Sequence, residues 1–134
     1  LEYLFVYGTL LKDLENEMSK FLASHSKFIS KGYFYGKLYK VTWFPGAILS
    51  TNTLDKVYGM VFKIENPEAV FNVLDDYEGI GEKYPEPQLF KKLVTTAFLE
   101  DGSTLKTWVY LYNLPVKGLK QITSGNYLKY TIDK

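Results

Sequence analysis

The stretch Leu4-Phe5-Val6-Tyr7-Gly8-Thr9-Leu10 decides how this chain folds, and the later run Leu74-Asp75-Asp76-Tyr77-Glu78-Gly79 decides what chemistry the fold could carry. Tyr3 to Tyr7 is apolar at consecutive positions, which suits a strand covered on both faces and therefore central in its sheet. Gly8 ends that run. Without a side chain at Gly8 a ligand can approach the main chain, and successive N–H groups at a turn leading toward a helix form a nest for an anion, to which Thr9 adds a hydroxyl. A plain strand-to-helix turn would carry the same letters.

Working outward, Glu15 to Leu22 places Met18, Phe21 and Leu22 at helical spacing among polar residues, so the first strand leads through a loop to a short amphipathic helix. Gly32 to Leu49 reads as two strands joined by a turn, and Val57 to Ile64 as another. Asn66-Pro67-Glu68 is a helix start: the Asn side chain is expected to cap, Pro suits the first helical position, and Glu favours the positive end of the dipole. Val70, Val73, Leu74 and Tyr77 then fall on one face, and Gly79 is placed to end the helix. An irregular stretch from Ile80 to Gln88 precedes a hairpin turning at Glu100-Asp101-Gly102-Ser103, in whose second strand Trp108, Tyr110 and Tyr112 share one face and Val109 and Leu111 the other. These elements predict one α+β domain over residues 1–134, a small mixed sheet curled toward a barrel with short flanking helices.

Composition narrows the function. The 134 residues carry 16 Lys+Arg against 15 Asp+Glu, a net charge of +1, which gives no general attraction to nucleic acid or to anionic membranes. The chain has no cysteine, so disulfides, thiolate metal sites and cysteine nucleophiles are excluded, and a reducing cytoplasm is compatible. No apolar run approaches the ~20 residues that span a bilayer. A soluble, cytoplasmic protein is expected.

Glu78 is the residue that could move a proton. At the C-terminal end of its helix the negative end of the dipole disfavours ionisation, and Asp75 one turn behind adds a like charge, so both raise its proton affinity. Such a carboxylate can take a proton from an ammonium group and return it to a leaving amine; a solvated acidic helix end is the alternative. Lys91 and Lys92 must point to opposite faces of a strand, so one is free to neutralise a ligand carboxylate or to form a surface ion pair. His25 is the only histidine, in a polar surface segment, and Asp13, Glu15 and Glu17 lack the Gly and terminal Glu of a calcium loop, so no metal is expected. The dispersed tyrosines suit core packing and pocket lining better than base stacking.

In order and spacing these residues resemble the gamma-glutamylcyclotransferase-like family, in the compact branch that includes gamma-glutamylamine cyclotransferases. Tyr7-Gly8-Thr9-Leu10 is similar to its YGTL signature, with Asn16 where an Asn usually follows. Gly36-Lys37-Leu38-Tyr39, Phe44-Pro45-Gly46-Ala47 and Val57-Tyr58-Gly59-Met60-Val61-Phe62 resemble its next elements, and Leu74 to Gly79 its LDxYEG run. Trp108-Val109-Tyr110 and Ser124-Gly125-Asn126-Tyr127 resemble its closing strand and terminal segment. The resemblance implies a small mixed β-barrel and an enzyme without cofactor. The α-amine of a γ-glutamyl group attacks its own side-chain carbonyl, giving 5-oxoproline and a free amine. It also implies that Glu78 is the catalytic acid/base, and that Tyr7, Gly8, Thr9, Leu10, Lys92 and Tyr110 bind the small-molecule substrate. The chain departs from the pattern with Leu11 for an Arg, Asp13 for a Gly, Phe90 for a Tyr, Lys92 for an Arg and Asn126 for an Asp. Phe90 loses a hydroxyl, and Lys92 keeps charge without the planar fork. The competing expectation is a catalytically silent module that keeps the same cavity for a small carboxylate; a protein-interaction domain with an aromatic surface is a third.

Overall fold

Why the first strand is central is visible in its two neighbours. In the computed structural model, which describes residues 1–8 and 17–132 (131 and 132 by backbone alone), β1 (Tyr3–Val6) pairs on one side antiparallel with β4 (Lys56–Ile64), Tyr3 opposite Lys63 and Val6 opposite Met60. On its other side it runs parallel to β6 (Thr104–Tyr112), Phe5 opposite Val109. Successive side chains of a strand point to opposite faces. Leu4 and Val6 accordingly enter one core cluster and Phe5 and Tyr7 another.

The sheet closes through β2 (Ser26–Lys40), fifteen residues long, which pairs with β4 along most of its length and at Gly32–Tyr33 meets Leu99–Phe98 of β5 (Phe90–Leu99). A Cβ on Gly32 would lie 2.5 Å from the Phe98 carbonyl oxygen, so only glycine allows the two strands this approach. With the β5–β6 hairpin the ring β2-β4-β1-β6-β5 is complete, a five-stranded closed sheet. β3 (Pro45–Leu49) and the two-residue β7 (Lys120–Gln121) pair with the far half of β2. The expected α+β architecture, a mixed sheet curled into a barrel with short flanking helices, is the one observed, and the described residues hold three such helices.

Inside the ring Phe5, Phe34, Val57, Val61, Val109 and Leu111 are almost wholly buried. Against its outer face α1 (Glu17–Ser24) supplies Leu22, and α2 (Pro67–Tyr77) supplies Val70, Phe71 and Leu74. The third helix, α3 (Tyr127–Ile132), has Asn126 before it, whose Oδ1 accepts the Lys129 N–H at 3.0 Å; Asn caps here as Asp would.

Two local expectations for α2 are corrected. Asn66 adopts a left-handed conformation (φ 49°) and its side chain makes no cap, leaving Pro67 at the first helical positions to set the entry. The buried stripe is Val70, Phe71 and Leu74, while Val73 and Tyr77 are more than a third exposed; Tyr77, in the last turn, meets a cavity instead of the core.

Candidate active site

The end of α2 puts Glu78 where it is. Gly79 takes φ +75°, a conformation that L side chains rarely adopt, and its N–H bonds the Asp76 carbonyl at 3.1 Å while the Ile80 N–H bonds that of Asp75 at 2.9 Å. The helix stops within one residue of Glu78. The chain turns away, and Glu78 lines a cavity of about 330 Å³. Tyr7, Gly8 and Tyr110 line the same cavity. Gly8 packs closely there: a Cβ added to it would stand 3.0 Å from Pro45 Cγ.

The environment of Glu78 raises its pKa from the usual carboxylate range to about 7, mainly through burial of the carboxyl and secondarily through the negative charge of Asp75. The residue as a whole keeps intermediate exposure, so it is the carboxyl, drawn into an apolar-walled cavity, that loses water. Asp75 itself does not line the cavity. Its Oδ1 accepts the Tyr110 hydroxyl at 2.6 Å and its Oδ2 the Lys92 ammonium at 2.9 Å, so helix α2 and strands β5 and β6 are tied together behind Glu78.

Lys92 therefore departs from its expected place. Its ammonium is spent on Asp75 and on the faces of Phe71 and Trp108, 4.6 and 5.1 Å from the ring centroids, and Lys92 is absent from the cavity wall. The reason is register: β5 pairs Lys92 with Tyr110, whose hydroxyl reaches the same carboxylate. Tyr7 and Tyr110 line the cavity with their hydroxyl protons already placed. Tyr7 donates to the Tyr110 carbonyl oxygen at 2.6 Å and accepts the Ala47 N–H at 3.1 Å, while Tyr110 donates to Asp75. Burial pushes both phenols well above the usual tyrosine range, so neither is a proton shuttle near neutrality. Thr9 and Leu10, also expected at the substrate, lie outside the described residues, as do Leu11, Asp13, Glu15 and Asn16.

The remaining wall was not foreseen. Trp43, Phe44, Leu89 and Phe90 line it, and of these only Phe44 and Phe90 had been singled out, as members of sequence motifs. A tryptophan two residues before Pro45 and a leucine after the proline-rich stretch are the signals that could have found the other two. Among the described residues no group of three His, Asp or Glu is placed to hold a metal ion, and no helix is long and apolar enough to cross a membrane.

Chemically, the cavity joins one carboxyl poised to gain or lose a proton near pH 7 with backbone at Gly8 and an apolar, largely aromatic wall. Comparison with known proteins gives the same direction. Residues 4–129 match the family described as gamma-glutamyl cyclotransferase, AIG2-like. The Escherichia coli gamma-glutamylcyclotransferase family protein YtfP is 35% identical over 92 residues, 69% of this chain and 67% of that protein. Its solution structure superimposes with a TM-score of 0.65 over 98% of this chain and 99% of that one. YkqA of Bacillus subtilis superimposes with a TM-score of 0.73 at 20% identity, a likeness of fold, and this chain spans 41% of its length.

Proposed function

The chain belongs to the gamma-glutamyl cyclotransferase, AIG2-like family, and from that premise we propose that it cyclises a γ-glutamyl amide to 5-oxoproline and a free amine, with Glu78 as the proton carrier. The observation that carries this reading is the enclosure of the Glu78 carboxyl in the same cavity as Tyr7 and Gly8. As carboxylate, Glu78 takes the proton that the substrate's α-ammonium must lose before its nitrogen can attack. That nitrogen bonds to the γ-carbonyl carbon, and Glu78 returns its proton to the leaving nitrogen as the C–N bond breaks. The second proton, which the attacking nitrogen sheds on becoming the lactam N–H, passes through the same carboxylate, so the amine departs as its ammonium. No water is consumed. A pKa of about 7 makes both half-steps accessible at neutral pH.

The cavity contributes by confinement. A γ-glutamyl group folded so that amine and carbonyl touch has lost most of the freedom that an open chain would lose on reacting, a large effect for intramolecular reactions. Gly8 offers its backbone to the substrate's oxygens, and the rings of Tyr7 and Tyr110 shape the floor. Lys92 acts through Asp75: it moderates the negative charge that Glu78 feels and fixes the carboxylate behind it. Incubation of the protein with a panel of γ-glutamyl amides and mass-spectrometric detection of 5-oxoproline tests the reading. Release from at least one compound is expected, and its absence across the panel, with a small carboxylate still bound, would make the silent binding module the better description.

A further inference from the structure

We propose that the amine half of the substrate is uncharged and carries an aromatic or bulky apolar group, held against Trp43, Phe44 and Leu89; this deepens, and rests on, the cyclotransferase reading of the same cavity. With the γ-glutamyl group at Glu78 and Gly8, the rest of the wall is left for the leaving amine. Trp43 and Leu89 keep 72% and 44% of their surface exposed, yet both line this cavity. Large apolar side chains left in water beside a site mark where a ligand covers them. The rings form a continuous path from rim to core, Trp43 to Phe44 at 5.0 Å and Phe44 to Phe90 at 5.8 Å between centroids.

That wall is built before any ligand arrives. The Tyr127 hydroxyl donates to the Trp43 carbonyl oxygen at 3.1 Å, the Val41 N–H to that of Phe44 at 3.1 Å, and the Asn113 N–H to that of Leu89 at 2.7 Å. Each rim residue is thus tied by its backbone to the barrel or to its own turn. Prepositioned apolar surface spends little of its binding energy on ordering.

Charge excludes the other classes of amine. All 16 basic residues of the chain are lysine, so no arginine fork exists for a second carboxylate. Among the described residues no lysine lines the cavity, and Lys92 is already held by Asp75. An amino-acid leaving group would carry its carboxylate to an apolar wall that, among the described residues, offers no cationic side chain to pair with it, beside Glu78 of the same sign. A cationic amine would find ring faces, but cation–π contact at an exposed rim is weaker than burial of a ring. The volume, about 330 Å³, is at the small end of ligand cavities, which suits a γ-glutamyl head with one ring rather than a peptide.

Calorimetric titration of the Glu78→Gln protein with γ-glutamylbenzylamide, γ-glutamylmethylamide, γ-glutamylglycine and ε-(γ-glutamyl)lysine tests this without turnover. The benzylamide is expected to bind at least about tenfold tighter than the glycine and lysine conjugates. Adding Trp43→Ala or Leu89→Ala should weaken the benzylamide by a larger factor than the methylamide. Equal or tighter binding of a charged conjugate, equal losses for both amides, or no binding of the benzylamide overturns the proposal. Turnover by the parent protein separates the two readings. Preferential benzylamide binding without 5-oxoproline release defeats the cyclotransferase reading and leaves this one standing, whereas efficient release from the glycine conjugate does the reverse.

Discussion

Glu78 sits one residue past the last turn of α2, and its enclosed carboxyl carries a stability cost that the fold must bear elsewhere. Its pKa is raised from the usual carboxylate value of 4.5 to about 7, so between those pH values the folded protein holds a proton that the unfolded chain has released. Stability is therefore unpenalised below pH 4.5, falls as pH rises through the interval, and is lower above pH 7 by an order of 3 kcal/mol. Glu78→Gln removes that titration. The stability of the Gln variant relative to the parent should rise by about that amount between pH 4 and pH 8, read from urea midpoints at each pH. A difference that does not change with pH would mean that the carboxyl stays hydrated in the folded state.

The cluster of α2, β5 and β6 behind Glu78 is where elements, not single residues, set the chemistry. Asp75 comes from the helix, Lys92 and Tyr110 from paired positions on two strands, and the ion pair of Asp75 with Lys92 lies 2.9 Å apart. Lys92→Met leaves the Asp75 charge uncompensated, so Glu78 should hold its proton more tightly and the acid limb of the kcat/KM profile should move to higher pH, with several-fold lower activity at pH 7. Asp75→Asn should move the limb the other way. A Lys92→Met protein with an unmoved profile would restrict Lys92 to packing. Much at this scale was legible in the sequence. The alternation of Trp108, Tyr110 and Tyr112 with Val109 and Leu111 named the two faces of β6, and Gly79 named the end of α2. Lys92 was not legible in its true role, because a strand lysine does not reveal that its register opposes a tyrosine that reaches the same helix. Asn66 misled for a related reason: Asn caps helices and also tolerates a left-handed backbone, and only the entry of the chain decides between them.

At the scale of the molecule, the barrel was expected from the number and kind of strands, but its closure was not placed. Closure depends on β2 continuing for fifteen residues and meeting β5 far along the chain, a contact that no local pattern contains. Trp43 and Leu89 were missed for the same reason, since the rim they form exists only once the barrel brings two loops to one cavity. Closure also traps Thr107, fully buried on the strand face of Val109 and Leu111, with a hydroxyl that finds no hydrogen-bond partner among the described residues. Thr107→Val keeps the shape and removes the unpaired group, so it should raise unfolding stability by about 1 kcal/mol in urea titration; a loss of that size would indicate that the hydroxyl is satisfied in solution. The central claim, that the cavity enclosing Glu78 cyclises γ-glutamyl amides by proton transfer through that carboxyl, is tested most directly by the rate of 5-oxoproline release from one good substrate by the parent and Glu78→Gln proteins. The account predicts a kcat lower by roughly 10²- to 10⁴-fold in the Gln variant with substrate affinity nearly kept, and a Gln variant that turns over at the parental rate would contradict it.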